Sequence, residues 1–434
     1  MNVQQLPVDR QSAEALAAEG LRLALVDCSD RDAFAAWTEA NARGFHEASP
    51  EPQRIDEHLE HAPNRRTSGV FDDSIPDGHV PVATSCSWVA ALTVPGEKTL
   101  DSWAISSVTV APTHRRRGVA RAMLEAELRT AAAAGVPMAS LTVSEATIYG
   151  RFGFGRATRV GHLEIDTKRA GWVGPSAAPG RLVFVSPRVI ADTGRDVFDR
   201  ARLATPGELD ADPFLWGRMV GALGGDAKIA GSLRVVRYED ADGVPQGFAV
   251  YRLVEDEHDF TKHTVDLRRV VAATDEANAA IWRYLLELDL VAKLTYYTAS
   301  PDEPVLWMIR DARAASLSLR DHHWLRILDL KAALETRTYG APASLVLRVT
   351  DGLGFCNGTI RLDIAVDGTA RVTPTDAAPD LDLDIAALSA LYLGDAKAST
   401  LVSAGLVHAP QDAAIRSFDA AFRSETTPWL SYWY

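Results

Sequence analysis

Apolar positions along the first 170 residues switch between periods of two and of three to four, and each switch marks an element. After a loose or helical leader of about 20 residues, Leu21 to Val26 reads as a first strand and Arg31 to Gly44 as a helix. Val82 to Val94 and Leu100 to Val110 are long β-rich runs joined by Pro95-Gly96-Glu97-Lys98, the turn chemistry of a hairpin. The second run breaks at Pro112. An amphipathic helix then runs from Gly118 through Met123, Leu124, Ala126, Glu127 and Leu128 to Gly135, and Pro137 to Ser144 is again strand-like. Arg159 to Asp166 is expected to close this unit near Arg169.

The Gly-, Pro- and Ala-rich stretch Gly171 to Gly180 marks a boundary. Beyond it come strand Leu182 to Val185, helix-like stretches Val189 to Ala201 and Asp212 to Leu223, and strands Leu233 to Tyr238, Gly247 to Val254 and Thr264 to Ala272. A helix Asp275 to Leu288 and a strand Val291 to Thr298 follow, repeating the strand-then-helix order of the first unit. From about Ser316 the pattern changes to Arg326 to Leu330, a helix Lys331 to Arg337, strands Ser344 to Thr350, Thr359 to Val366 and Ala370 to Pro374, and helices rich in Ala and Leu. The expected fold class is mixed α+β, in three domains: 1–170, 171–315 and 316–434.

Composition narrows the function without naming it. The 434 residues are 47% hydrophobic and 24% charged, ordinary globular material, and a formal net charge of −13 argues against nucleic acid as main partner. Such acidity suits a cationic small-molecule acceptor. Cys28, Cys86 and Cys356 are odd in number and lack metal spacing, so they read as reduced thiols in a cytoplasmic protein. Met1 to Arg10 lacks the apolar core of a secretory signal, and no apolar run approaches the ~20 residues that span a bilayer. His46, His114, His322 and His323 lack ligand spacing, so no metal is expected. The cluster Asp376, Asp380, Asp382 and Asp384 lacks the glycine and terminal glutamate of a calcium loop and reads as a solvated acidic face.

Chemistry concentrates in Val108-Thr-Val-Ala-Pro-Thr-His-Arg-Arg-Arg-Gly-Val-Ala-Arg121, where a strand turns into a helix whose opening is basic and contains Gly118. Unpaired amides at a helix N-terminus and the positive end of its dipole bind an anion. Arg115-x-x-Gly118-x-Ala120 after Val108-x-Val110-x-Pro112 resembles motif A of the GNAT acyl-CoA N-acyltransferases. Ser144-Glu-Ala-Thr-Ile-Tyr-Gly-Arg-Phe-Gly-Phe154 looks like the segment in which such enzymes present a tyrosine near the acyl sulfur. With Thr93-Val-Pro-Gly-Glu97, Trp324-Leu-Arg-Ile327, Thr373-Pro-Thr-Asp-Ala-Ala378 and Leu391-Tyr-Leu-Gly394, the whole order is similar to the Eis (enhanced intracellular survival) family of aminoglycoside and lysine N-acetyltransferases.

That resemblance implies a GNAT domain, a degenerate GNAT-like domain without a CoA site and a sterol-carrier-protein-like domain. It also implies acetyl-CoA as donor, no metal, and a homohexamer built as a pair of trimers. Pantetheine would lie along the backbone of Val108, Thr109 and Val110. The amides of Arg116, Arg117, Gly118, Val119, Ala120 and Arg121 would hold pyrophosphate, with charge from Arg115 to Arg117, and Ser144 and Glu145 match positions that line CoA. Tyr149 would protonate the departing thiolate, and the terminal carboxylate of Tyr434 would serve as base. Trp37 and Phe45, with Glu39 and Glu47 nearby, form either an acceptor cleft or one core stripe with solvated acids; family members often carry an acid where Trp433 stands. The expected function is acetylation of primary amines of aminoglycosides or lysine-like or polyamine substrates by direct transfer in a ternary complex. The alternatives are a lipid or sterol carrier and a CoA-sensing module.

Overall fold

Two of the three sheets exchange strands, and that exchange builds the site. The computed structural model describes residues 2–176, 179–224 and 231–434. In chain order the strands are Arg22–Leu25 (β1), Arg66–Phe71 (β2), Ala83–Val94 (β3), Lys98–Val110 (β4), Met138–Thr142 (β5), Gly155–Arg156 (β6) and Arg159–Asp166 (β7). Arg181–Val185 (β8), Arg234–Glu239 (β9), Pro245–Val254 (β10), His263–Ala272 (β11) and Val291–Ala299 (β12) follow. Next come Ala315–Asp321 (β13) and His323–Ile327 (β14), then Ala343–Thr350 (β15), Gly358–Ile364 (β16), Ala370–Pro374 (β17), Leu381–Asp384 (β18) and Val407–His408 (β19).

The first sheet has the order β1-β2-β3-β4-β5-β14-β6, the second β13-β7-β12-β11-β10-β9-β8, and the third β17-β16-β15-β18-β19. In each of the first two, one parallel pair is bridged by a helix: β4 and β5 by Val119–Ala133, β11 and β12 by Asp275–Leu286. The two units are therefore GNAT-like in tandem, and a sheet covered by its own helices follows.

The expected boundaries at 170 and 316 do not follow the sheets. β7, read as the closing strand of the first unit, lies in the second sheet between β12 and β13, with Leu163 and Ile165 in that sheet's core beside Trp282. Strand β14, read as the opening of the third domain, instead lies in the first sheet between β5 and β6. Alternating burial specifies a strand and its faces but not the sheet that receives it. The acidic cluster is also structural rather than merely solvated. Asp380 accepts the Val346 amide at 2.8 Å, Asp382 pairs with Arg348, and Asp384 caps the helix Ile385–Leu391 by accepting the Ala387 amide at 2.7 Å.

One apolar core runs through all three domains, from Trp88 and Leu92 on β3 through Phe198, Trp216 and Phe248 to Leu347, Leu388 and Phe418. Leu430 and Tyr432, near the chain's end, belong to it. A buried ion pair spans the same junction: Arg326 on β14 lies 2.6 Å from Asp351, with both side chains essentially inaccessible, and donates from Nε to the Phe152 carbonyl at 2.8 Å. Burial would raise Asp351, but the guanidinium and the amides of Leu353 and Cys356 hold it below the ordinary carboxylate range. Removing one partner strands a buried charge. Arg326→Ala should therefore lower the denaturant unfolding free energy by about 3–5 kcal/mol; a loss below about 1 kcal/mol, the surface-pair scale, would contradict this assignment.

Candidate active site

Strands β4 and β5 pair over only three positions, Ser102 with Met138 through Ala104 with Ser140. Beyond them β4 carries a bulge. Ser107 takes a φ of 55°, the register against β3 shifts between Thr84 and Cys86, and Thr84 Oγ1 donates to the Ser107 carbonyl at 2.8 Å. A bulge bends its strand, and here the bend parts β4 from β5. The resulting notch holds a cavity of about 110 Å³ whose walls include Phe45, Ser107, Val108, Ser144, Tyr149 and Tyr434. Side chains more than 280 residues apart in sequence thus share one small space.

The cradle lies at the same end of β4. Hydrogen bonds from Ser74 and then His114 hold the Asp72 carboxyl down at about 2, and His114, 3.0 Å from Asp72, anchors the turn Pro112–His114. Arg116 and Gly118 take φ values of 66° and 76°, which redirect the chain into the helix Val119–Ala133. Gly118 at the N-cap offers no side chain, so the amides of Val119, Ala120 and Arg121 lack a partner among the described residues. A Cβ on Gly118 would meet nothing within 4 Å, so the space before these amides is open. Free amides, a helix dipole and exposed Arg115, Arg116 and Arg121 fit a diphosphate. Arg117 is placed differently, donating to the Glu19 carbonyl at 2.5 Å with Asp72 3.9 Å away. The Thr109 hydroxyl is taken up by Thr84 at 2.7 Å, leaving only its backbone for a ligand.

Tyr149 ends the short helix Ala146–Tyr149 and is buried, its ring edge-to-face with Phe154 at 6.2 Å. Its hydroxyl has no hydrogen-bond partner among the described residues, and burial followed by the charge of Glu145 raises its pKa. It remains a proton donor at neutral pH.

Tyr434 arrives on a tail that all three domains hold. Trp429 N–H donates to the Pro206 carbonyl at 2.8 Å, Ser431 N–H to Glu208 Oε1 at 3.1 Å, and the Tyr432 hydroxyl to the Leu209 carbonyl at 3.0 Å. Arg269 donates to the Ser431 carbonyl. The adjacent histidines, without an assigned role in the sequence, complete the clamp: His322 Nε2 donates to the Tyr432 carbonyl at 2.9 Å. His323 Nδ1 lies 3.1 Å from the Gly207 carbonyl, which can only accept, so neutral His323 receives the Tyr434 hydroxyl at Nε2, 2.9 Å away. Tyr434 Oη also lies 3.0 Å from Ser140 Oγ, and Thr142 Oγ1 donates to a terminal oxygen of Tyr434 at 2.9 Å.

The expected acceptor residues separate. Phe45 lines the notch and is half exposed, whereas Glu47 lies on the surface 3.6 Å from Arg54. Trp37 is core: it is buried beside Phe34 and Ile55, and its indole donates to the Ser68 carbonyl at 2.8 Å, so it offers no cleft wall. Among the described residues, no three His, Cys, Asp or Glu side chains converge as a metal site would require, and no helix is long and apolar enough to cross a membrane.

A splayed parallel pair, an uncapped helix start beyond it and a proton donor in the gap define an acyl-CoA-using N-acetyltransferase of the GNAT type. Residues 28–157 and 207–327 match acetyltransferase (GNAT) domains, and 330–431 a sterol carrier protein domain. The chain is 38% identical over 347 residues to N-acetyltransferase Eis of Mycobacterium tuberculosis (strain ATCC 25177 / H37Ra), covering 77% of this chain and 81% of that one. An uncharacterized N-acetyltransferase of Streptomyces griseus is 35% identical over 405 residues, covering 91% and 96%. The crystal structure of Eis1 from Mycobacterium abscessus superposes with a TM-score of 0.77 at 28% identity, covering 95% of this chain and all of that one. The chain belongs to the Eis family of N-acetyltransferases.

The clamp has a pH signature. Burial pushes His322 down to about 4 and His323 to about 3, below the unfolded value of about 6.5. Their contribution is full above pH ~6.5 and is lost as pH falls below it. Burial pushes Glu208 up to about 7, so its contribution runs the other way, shrinking as pH rises from about 4.5 to 7. Glu208→Gln should therefore steepen the fall in melting temperature between pH 6.5 and 4.5. A shallower fall would contradict the assignment.

Proposed function

We propose that this chain transfers an acetyl group from acetyl-CoA to a primary amine of an aminoglycoside, lysine-like or polyamine acceptor, directly and in a ternary complex. The observation that carries the reading is the meeting of Tyr149 and the terminal residue Tyr434 in one cavity between β4 and β5. Acetyl-CoA, when bound, supplies the acetyl thioester. Backbone groups of Val108 to Val110 would hold its arm and the amides of Val119 to Arg121, with Arg115 and Arg116, would neutralise its phosphates; in support, Val108 lines the notch and those amides open an uncapped helix. Ser144 lines the notch beside them.

Formation of the N–C bond and cleavage of the C–S bond move two protons. The Tyr434 carboxylate takes one from the amine; the Thr142 hydroxyl binds one of its oxygens and leaves the other for the acceptor. Tyr149 gives one to the departing sulfur. A phenol held above the ordinary ~10 by burial, donating to a thiolate whose conjugate acid lies near ~8.5, works uphill, so this transfer comes late, as charge accumulates on sulfur. Against the carrier alternative, Leu345, Leu347, Leu388 and Phe418 of the third domain are packed into the apolar core it shares with the other two. A homohexamer and a cytoplasmic setting complete the reading; exposed Phe184 and Trp307 are apolar surface of the kind subunit contacts bury, and light scattering tests the assembly.

An amine panel with acetyl-CoA, followed by thiol release and product mass, tests the reaction. Tyr149→Phe should lower kcat about a hundredfold or more, and a Gly-Gly extension after Tyr434 should do likewise with little change in the KM for acetyl-CoA. Wild-type turnover in both variants would overturn the mechanism.

A further inference from the structure

Two larger cavities meet the catalytic notch at Trp433. One, of about 1020 Å³, lies where the two GNAT-like sheets approach the third domain, and shares both Ser144 and Trp433 with the notch. Its charged wall is Arg156, Arg159, Arg320 and Lys397 against Asp321 and Asp395, four cations to two carboxylates, a local surplus of two. Both carboxylates are engaged. Asp395 is gripped by Arg159 at 2.6 and 2.8 Å, and Asp321 accepts the Trp324 indole N–H at 2.8 Å. The side chains of Arg156, Arg320 and Lys397 have no ion pair or hydrogen bond among the described residues, and all three residues are exposed to the cavity's solvent.

The other cavity, of about 390 Å³, sets Arg218, Arg268 and Arg269 against Asp266 among the described residues, again a surplus of two. A chain with a net charge of −13 thus presents positive walls on both approaches to its notch. Net charge sums the whole surface, whereas an acceptor feels charges within a screening length of about 8–10 Å. Overall acidity therefore does not set the charge of these two walls.

Resting on the N-acetyltransferase reading above, we propose that the larger cavity is an anion subsite of the acceptor. Preferred acceptors then carry a carboxylate or phosphate on the same molecule as the reactive amine, and Arg156, Arg320 and Lys397 bind it. A cavity of this volume admits a ligand of several tens of atoms. A polycation without an anionic group meets like charge on entry and leaves the three side chains unpaired.

Steady-state kinetics with matched acceptors tests this: ethanolamine against phosphoethanolamine, cadaverine against lysine, and a polycationic aminoglycoside. The anionic member of each pair should have a kcat/KM higher by about tenfold or more, the scale of one charge-assisted hydrogen bond. In Arg320→Gln/Lys397→Gln that ratio should fall toward one, mainly through KM of the anionic acceptor, and the preference should weaken with added salt. The phosphate and carboxylate arms distinguish the two anions. Equal or better turnover of the diamine and aminoglycoside overturns the subsite alone. A rise in the KM for acetyl-CoA with the acceptor ratio intact also overturns it, because the cations then serve the donor. Absence of turnover with every amine overturns the transferase reading, and the subsite with it.

Discussion

Residues Trp429 to Tyr434 are held by hydrogen bonds to both GNAT-like units, and the rest of the site depends on how they are held. Trp429 and Ser431 are fixed by donation to the segment around Pro206 and Glu208, the Ser431 carbonyl by Arg269, Tyr432 by Leu209 and His322, and Tyr434 by His323, Ser140 and Thr142. Leu430 and Tyr432 are also part of the apolar core that joins the three domains. Burying these side chains removes enough apolar surface to offset the entropy that normally frays a chain end. The backbone oxygen of Tyr434, which accepts from Thr142, is thereby fixed on a residue that lines the same cavity as Tyr149.

Strand exchange makes that clamp possible. Because β14 inserts between β5 and β6, the two histidines at its start stand beside Ser140 and Thr142 of the first sheet. The neighbouring β13 stays in the second sheet. Two short connections, β6–β7 through Ala157 and Thr158 and β13–β14 through His322, thus cross side by side between the GNAT-like units where the tail passes. Neutral imidazoles suit this place: each donates from one nitrogen to a backbone carbonyl, and His323 accepts the Tyr434 hydroxyl with the other. A protonated ring would lose that acceptor.

Much of the first unit was legible because its signals are local. Asp30 caps the helix Arg31–Gly44 and the apolar stripe runs its length, so the helix appears where the pattern places it. The hairpin of β3 and β4 follows from its Pro-Gly turn, and the cradle from an arginine run ending at Gly118. What could not be read was long-range pairing. Nothing in Arg159 to Asp166 or Trp324 to Ile327 says which sheet takes the strand. The roles of His322 and His323 depend on partners about 110 residues away, so a search for ligand spacing passes over them. Trp37 on an early helix looks the same whether it faces a cleft or a core; only the Ser68 carbonyl decides. The Ser107 bulge that opens the notch is likewise invisible in a serine pair.

On this geometry the tail is a fixed structural element in solution. Hydrogen–deuterium exchange of the backbone amides at the C-terminus measures this most directly. With Trp429 N–H bonded to Pro206 and Ser431 N–H to Glu208, these two amides should be protected to a degree close to that of the core strands. Exchange at the rate of an unstructured segment would contradict this, because Tyr434 would then have no defined place in the cavity that Tyr149 also lines.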